Sequence, residues 1–321
     1  MGAIKLPKNS INFFKANQDQ IFETGNLAEG PWNEQLSEKI KSICNVKNAI
    51  SVNSNGSGLV ALLLIYKEYY GRTDVMIQSN TMYGVKTITK TAGYNLVDFI
   101  DCQLETLMPS FNDLKNAVNN YKGEIDKLVI LLSDIGGIIN PDIEKIAKFC
   151  KEKNIILIED AAHAFGAKQG KFFLGAIGDV GVFSLHPRKT FHVFGDGGLI
   201  VTNNTKLFKK LKLLRNHGLK NRDEAILWGT NSRLDNLQAG FGNIMLKNIK
   251  SWNKKHYEIA NFYEKSLSKF VKTPKYDKKK STPSFHQYII RTKYRDELKK
   301  FLKKKKIDTA IHYPKPIHLQ K

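Results

Sequence analysis

The chain has 321 residues, 41% hydrophobic and 10% aromatic, with 51 Lys+Arg against 30 Asp+Glu for a net charge of +21. That apolar content excludes global disorder, and no apolar run reaches the roughly 20 residues needed to cross a bilayer. Three widely spaced cysteines, Cys44, Cys102 and Cys150, exclude a disulfide framework and a Cys-based zinc site, so no metal is expected. No apolar stretch follows Met1 to act as a signal peptide. The expectation is a soluble, cytoplasmic protein without membrane insertion. The lysines are scattered, and the densest run, Lys303-Lys304-Lys305-Lys306, ends an amphipathic helix where cations complement the macrodipole. No nucleic-acid partner is expected; a basic surface would instead steer a small acidic substrate such as a diphosphate.

In chain order, short β-branched runs at residues 49–52, 75–78, 96–99, 127–132 and 155–158 predict buried strands. Between them, helical spacing predicts helices over 59–70, 85–91, 111–121 with Ser110 as cap, and 143–153 after Pro141. Strand–helix alternation of this kind predicts an α/β fold with a mostly parallel sheet covered on both faces. Two more strands are expected at 179–185 and 198–202, joined by a Gly-rich loop, then helices near 206–216, 234–247 and 252–270. Residues 272–283 read as a linker, followed by a strand at 285–291 and a helix at 294–306. The expected division is a large α/β domain over 1–248 and a smaller α+β domain over 249–321.

Four features fall at strand ends, where open α/β sheets hold their ligands. Ser54-Asn55-Gly56-Ser57-Gly58 opens a helix, and small residues there let backbone N–H groups approach a phosphate. Alone, such a turn is ordinary punctuation. Ile158-Glu159-Asp160-Ala161-Ala162-His163 ends a strand with a carboxylate able to pair with a ring nitrogen, or equally to cap a helix. Phe183-Ser184-Leu185-His186-Pro187-Arg188-Lys189, followed by Gly195-Asp196-Gly197-Gly198, puts a lysine just past a strand, which suits a Schiff-base amine. The fourth, Gly229 to Asp235, is a polar turn into a helix. A phosphate cradle, an acid and a lysine in this order are the parts of a pyridoxal phosphate (PLP) site.

Taken together the motifs resemble the DegT/DnrJ/EryC1/StrS sugar aminotransferases, which have the fold type I of aspartate aminotransferase. The match starts at Gly25-Asn26-Leu27-Ala28-Glu29-Gly30-Pro31 and runs through the blocks above, Gly178-Asp179-Val180-Gly181, Arg215-Asn216-His217-Gly218 and Asn231-Ser232-Arg233. It ends with His312-Tyr313-Pro314 and His318. The resemblance implies that Lys189 binds the cofactor covalently and then shuttles a proton, and that Asp160 keeps the pyridine nitrogen protonated. It implies that Gly56, Ser57 and Ser184 hold the phosphate, with Asn231 reaching in from the partner of a homodimer, and that His163 lies near the phenolic oxygen. His312, His318 and Arg188 are the expected substrate contacts. The implied reaction moves an amino group from L-glutamate to a keto-sugar linked to a nucleoside diphosphate.

Three departures from the family pattern stand out. Met82 occupies the place of an aromatic that commonly stacks on the cofactor ring, which leaves Tyr83, or Met82 itself, for that role. Ser133-Asp134-Ile135-Gly136 lacks the usual His or Tyr. Family members continue past the position of Lys321, so the resemblance implies an incomplete small domain. The alternatives are a nucleotide-sugar 3-dehydratase, which would carry His in place of Lys189, and a non-catalytic regulatory paralogue, which would lack Lys189 or Asp160.

Overall fold

A seven-stranded sheet organises the molecule, whose structure, a computed structural model, describes residues 6–320. Its strands are β1 (Asn48–Val52), β2 (Asp74–Gln78), β3 (Asn95–Ile100), β4 (Leu128–Ser133), β5 (Ile156–Asp160), β8 (Val180–Ser184) and β9 (Gly198–Thr202). Two short strands, β6 (Lys168–Gln169) and β7 (Phe172–Phe173), intervene and pair with β10 (Ser281–Thr282) in a separate small sheet. The large sheet has the order β1-β9-β8-β5-β4-β2-β3, and only β9 runs against its neighbours. β4, Leu-Val-Ile-Leu-Leu-Ser, is buried at every position, as a strand covered on both faces must be.

The helices are α1 (Lys8–Thr24), α2 (Pro31–Cys44), α3 (Asn55–Tyr70), α4 (Tyr83–Thr91), α5 (Phe111–Asn120), α6 (Ile143–Glu152), α7 (Thr205–Leu214), α8 (Asn236–Leu267) and α9 (Arg295–Lys304). Alternation splits each strand between two cores. Ile130 and Leu157 face Leu36 of α2, Ile146 of α6 and Met245 of α8; Leu131 and Ile158 face Leu62 of α3 and Leu211 of α7. Ser110 caps α5 as expected, its hydroxyl accepting from Asp113 N–H at 3.2 Å.

The structure departs from the sequence reading in five places. α1 and α2 have no counterpart among the expected elements. The helices expected at 234–247 and 252–270 are one 32-residue helix, α8. The polar Lys247-Asn248-Ile249-Lys250-Ser251 stretch looks like a loop, but it holds no breaker, buries Ile249, and ties the Ser251 hydroxyl back to Asn248 O. The expected boundary between 248 and 249 falls inside this helix. The strand expected at 285–291 has no ladder beyond a single bridge, Lys272 with Arg291; its apolar residues serve a small cluster around Phe285, Met108, Ile138 and Ala260 instead. The expected linker carries β10 and so is partly ordered into a sheet. Among the described residues, no helix is long and apolar enough to cross a membrane.

Candidate active site

The parallel strands end on one edge of the sheet, and their alternation decides which side chains meet there. On β5, Leu157 belongs to the α6–α8 core and Ile158 to the α3 core, so Glu159 and Asp160 take opposite faces. The same count puts Ser133 of β4 and Ser184 of β8 on the α3 side with Asp160. Ser133 is Asp160's partner in register, and Ser184 lies two residues beyond its partner Val182. The first turn of α3 faces them. Ser54 caps this helix, its hydroxyl accepting from Ser57 N–H at 3.0 Å. β9 approaches the same turn so closely that a Cβ at Gly198 would lie 2.5 Å from Ser54 C, so only glycine fits.

Asp160 is buried, and its carboxylate accepts from Asn55 Nδ2 (2.9 Å) and Ala162 N–H (3.3 Å) on Oδ1, and from the Ser133 hydroxyl (3.2 Å) on Oδ2. It caps no helix; turns follow it. A carboxylate offers about four acceptor positions, so one on Oδ2 remains for a further donor. A protonated pyridine nitrogen would suit that acceptor position in charge and in hydrogen-bond sense.

Lys189 sits in the turn after β8, closed by its N–H donating to His186 O at 2.8 Å. Burial lowers its pKa, and the Asp160 charge opposes that shift. Burial raises Asp160, while Asn55 and Lys189 draw it back. Both groups are thus neutralised more easily than in water, which an amine that must lose its proton to attack requires. His163, His286 and His312 gather around Lys189. Burial first, then the lysine's charge, pushes all three below the ordinary imidazole range, His286 to about 3.

The profile of the DegT/DnrJ/EryC1/StrS aminotransferase family matches residues 9–321. The chain belongs to this family. It is 31% identical over 306 residues to the pleiotropic regulatory protein of Geobacillus stearothermophilus, covering 94% of this chain and 80% of that one. It is 31% identical over 305 residues to the dTDP-3-amino-3,6-dideoxy-alpha-D-galactopyranose transaminase of Aneurinibacillus thermoaerophilus, covering 94% and 81%. The crystal structure of S. venezuelae DesV in complex with a ketimine intermediate superposes with a TM-score of 0.85 at 26% identity, covering 100% of this chain and 86% of that one.

In this member of the DegT/DnrJ/EryC1/StrS family, the predicted residues divide into those the fold gathers and those it keeps apart. Asp160, Lys189, His163 and His312 share one electrostatic neighbourhood, and Gly56, Ser57 and Ser184 lie on the strand-end side of α3 beside them. Tyr83 opens α4, half-buried, whereas Met82 is 51% exposed. Arg188 and Asn231 are exposed, Asn231 Oδ1 accepting from Arg233 Nε at 3.3 Å. His318 is also exposed, its ring 6.0 Å from that of Phe99 and outside the histidine group. The quoted Gly-Pro block has a structural use, since Glu29 pairs with the buried Arg215 of the Arg-Asn-His-Gly block.

Sequence reasoning passed over Asn55, Ser133, Asp134, His286 and Gln287. Asn55 and Ser133 stand inside motifs already in view; strand-face counting would have aimed Ser133 at Asp160. Asp134 is buried with Oδ2 unpartnered, and burial with the charges of Glu159 and Asp160 raises it well above the carboxylate range. Glu159 itself is held by the N–H groups of Gly175, Ile177 and Gly178 at 2.6–2.8 Å.

Proposed function

We propose that the chain is a PLP-dependent aminotransferase that moves an amino group from L-glutamate to a keto-sugar carried on a nucleoside diphosphate. The observation that carries this reading is the buried Asp160 paired with the half-buried Lys189 beside the first turn of α3, with one carboxylate lone-pair position not used by the protein's own donors. Bound there, PLP supplies a protonated pyridine ring that accepts the electrons released at the amino acid's α-carbon. Asp160 would hold the ring nitrogen's proton, and Lys189 would hold the cofactor and carry a proton to and from the reacting carbon. Gly56, Ser57 and Ser184 would receive the phosphate at the helix N-terminus. His163 would meet the phenolic oxygen and Tyr83 the ring.

For the substrate side, His312 stands beside Lys189, and Arg188 and His318 are exposed cations or donors for the diphosphate. A net charge of +21 suits such an anion. The transaminase from Aneurinibacillus acts on a dTDP-linked amino sugar by its name, which supports the same substrate class here. The presence of Lys189 disfavours the dehydratase alternative, and the intact Lys189–Asp160 pair disfavours a non-catalytic role. The test is glutamate-dependent amination of nucleotide-linked keto-sugars, read by mass.

The reading includes a homodimer with shared sites, in which the exposed Asn231 serves the partner's cofactor phosphate. Mixing Lys189→Ala chains with Asn231→Ala chains should then recover activity above either parent. Each mixed dimer would hold one site damaged twice and one intact. No recovery despite mixed dimers would put Asn231 in its own chain's site.

A further inference from the structure

Two residues joined across the seam between β4 and the C-terminal region decide where two histidines carry their protons. Gln287 N–H donates to Gly136 O at 3.1 Å. From this junction Gly136 N–H donates to His163 Nδ1 at 3.2 Å, and the Gln287 carboxamide nitrogen lies 3.1 Å from His312 Nε2. A ring nitrogen that accepts an N–H bond carries its lone pair there, so the proton of the neutral ring sits on the other nitrogen. His163 is thus protonated on Nε2 and His312 on Nδ1. This carboxamide orientation leaves Gln287 Oε1 buried without a partner. The reverse orientation would strand an NH₂ group with two donors, and orphaned donors are the rarer and costlier case.

The junction is also fixed in place. Gly136 has φ +70°, and a Cβ there would lie 3.1 Å from Gln287 O. Ser284 N–H donates to Gly137 O at 3.0 Å, and the Ser284 hydroxyl to His163 O at 3.0 Å. The His163 and His286 rings pack at 4.6 Å. The groups that face His312 are Lys189, His163, His286, Gln287 and Tyr313, whose ring lies 5.2 Å away. Among them only Lys189 carries a cation, and an imidazolium beside it would be repelled.

We propose that Gln287 is a positioning residue for amino transfer: with Gly136 it clamps His312 and His163 as neutral rings of opposite tautomer beside Lys189. His312 then presents one N–H donor to a substrate oxygen and does not compete for the proton that Lys189 carries. The role in catalysis rests on the aminotransferase reading; the clamp itself does not.

The test uses ¹⁵N-histidine-labelled protein without cofactor, with the His312 ring signals assigned by their loss in His312→Asn. Wild type should show His312 protonated on Nδ1 only and still neutral at pH 6. Gln287→Glu, which sets a carboxylate at the same place, should raise the His312 pKa by more than one unit and carry the acid limb of kcat/KM upward with it. Gln287→Leu should mix the tautomers and raise KM for the keto-sugar by roughly 3- to 10-fold, the range expected for one lost hydrogen bond, with kcat changed less. Identical His312 tautomer and pKa in all three proteins would overturn the clamp. A changed His312 spectrum with unchanged KM and pH profile would overturn the positioning role. A wild type that transfers no amino group at all sinks the functional reading alone, because the histidine spectra are recorded without cofactor or substrate.

Discussion

Lys189→Ala should abolish measurable amino transfer, lowering turnover by at least about 10³-fold. A positioned general acid–base contributes roughly 10²–10⁴, and this residue would also hold the cofactor. The side chain is half-buried next to Asp160, so its loss also removes the one cation that draws the carboxylate back toward its charged form. Lys189→Arg keeps that charge but supplies no exchangeable amine, and it should be as inactive as alanine. In wild type loaded with PLP, borohydride reduction followed by peptide mapping should put the pyridoxyl label on Lys189. A label on any other lysine, or an active Lys189→Ala protein, contradicts the assignment in a chain with so many alternatives.

The second large effect belongs to Asp160. Asp160→Asn keeps the shape and can still bond to Asn55 and Ser133, but a neutral amide does not hold a pyridine nitrogen protonated. A hydrogen bond to a charged partner is worth about 1.5–3 kcal/mol, so kcat should fall by roughly one to two decades. Stability should move the other way. Burial raises the folded-state pKa of Asp160 above its unfolded value, so its contribution to stability is largest below the unfolded pKa and is lost as pH rises through the folded one. Near pH 7 the variant should therefore melt at or above the wild-type temperature. The difference should shrink as pH falls toward about 3.9, where the wild-type carboxyl protonates in the unfolded chain too. Turnover equal to wild type would make Asp160 a purely structural carboxylate.

The sheet was legible because its strands are short, apolar and bounded by turn residues. Expected and observed bounds of β2, β5 and β9 differ by two residues or fewer. The Asp160 and Lys189 blocks were legible for a related reason, since each is a chemically distinctive residue at the end of such a strand. Helix α8 was misread because polarity at 247–251 imitates a loop when nothing in the local sequence reports burial of Ile249. The run at 285–291 was misread because β-branched and aromatic residues report apolar surroundings, not a ladder partner. His286 and Gln287 lie within that run, and their meaning depends on Gly136, some 150 residues earlier. No local pattern carries such a contact.

Nitrogen transfer tests the central claim most directly. Wild-type protein with PLP, [¹⁵N]glutamate and a panel of 3-keto and 4-keto sugars on dTDP, UDP and GDP should convert at least one of them to an amino sugar carrying ¹⁵N. An equal amount of 2-oxoglutarate should appear, and Lys189→Ala should form neither product. If the labelled nitrogen never leaves glutamate, or enters a sugar equally well with Lys189→Ala, the chain does not act as this aminotransferase.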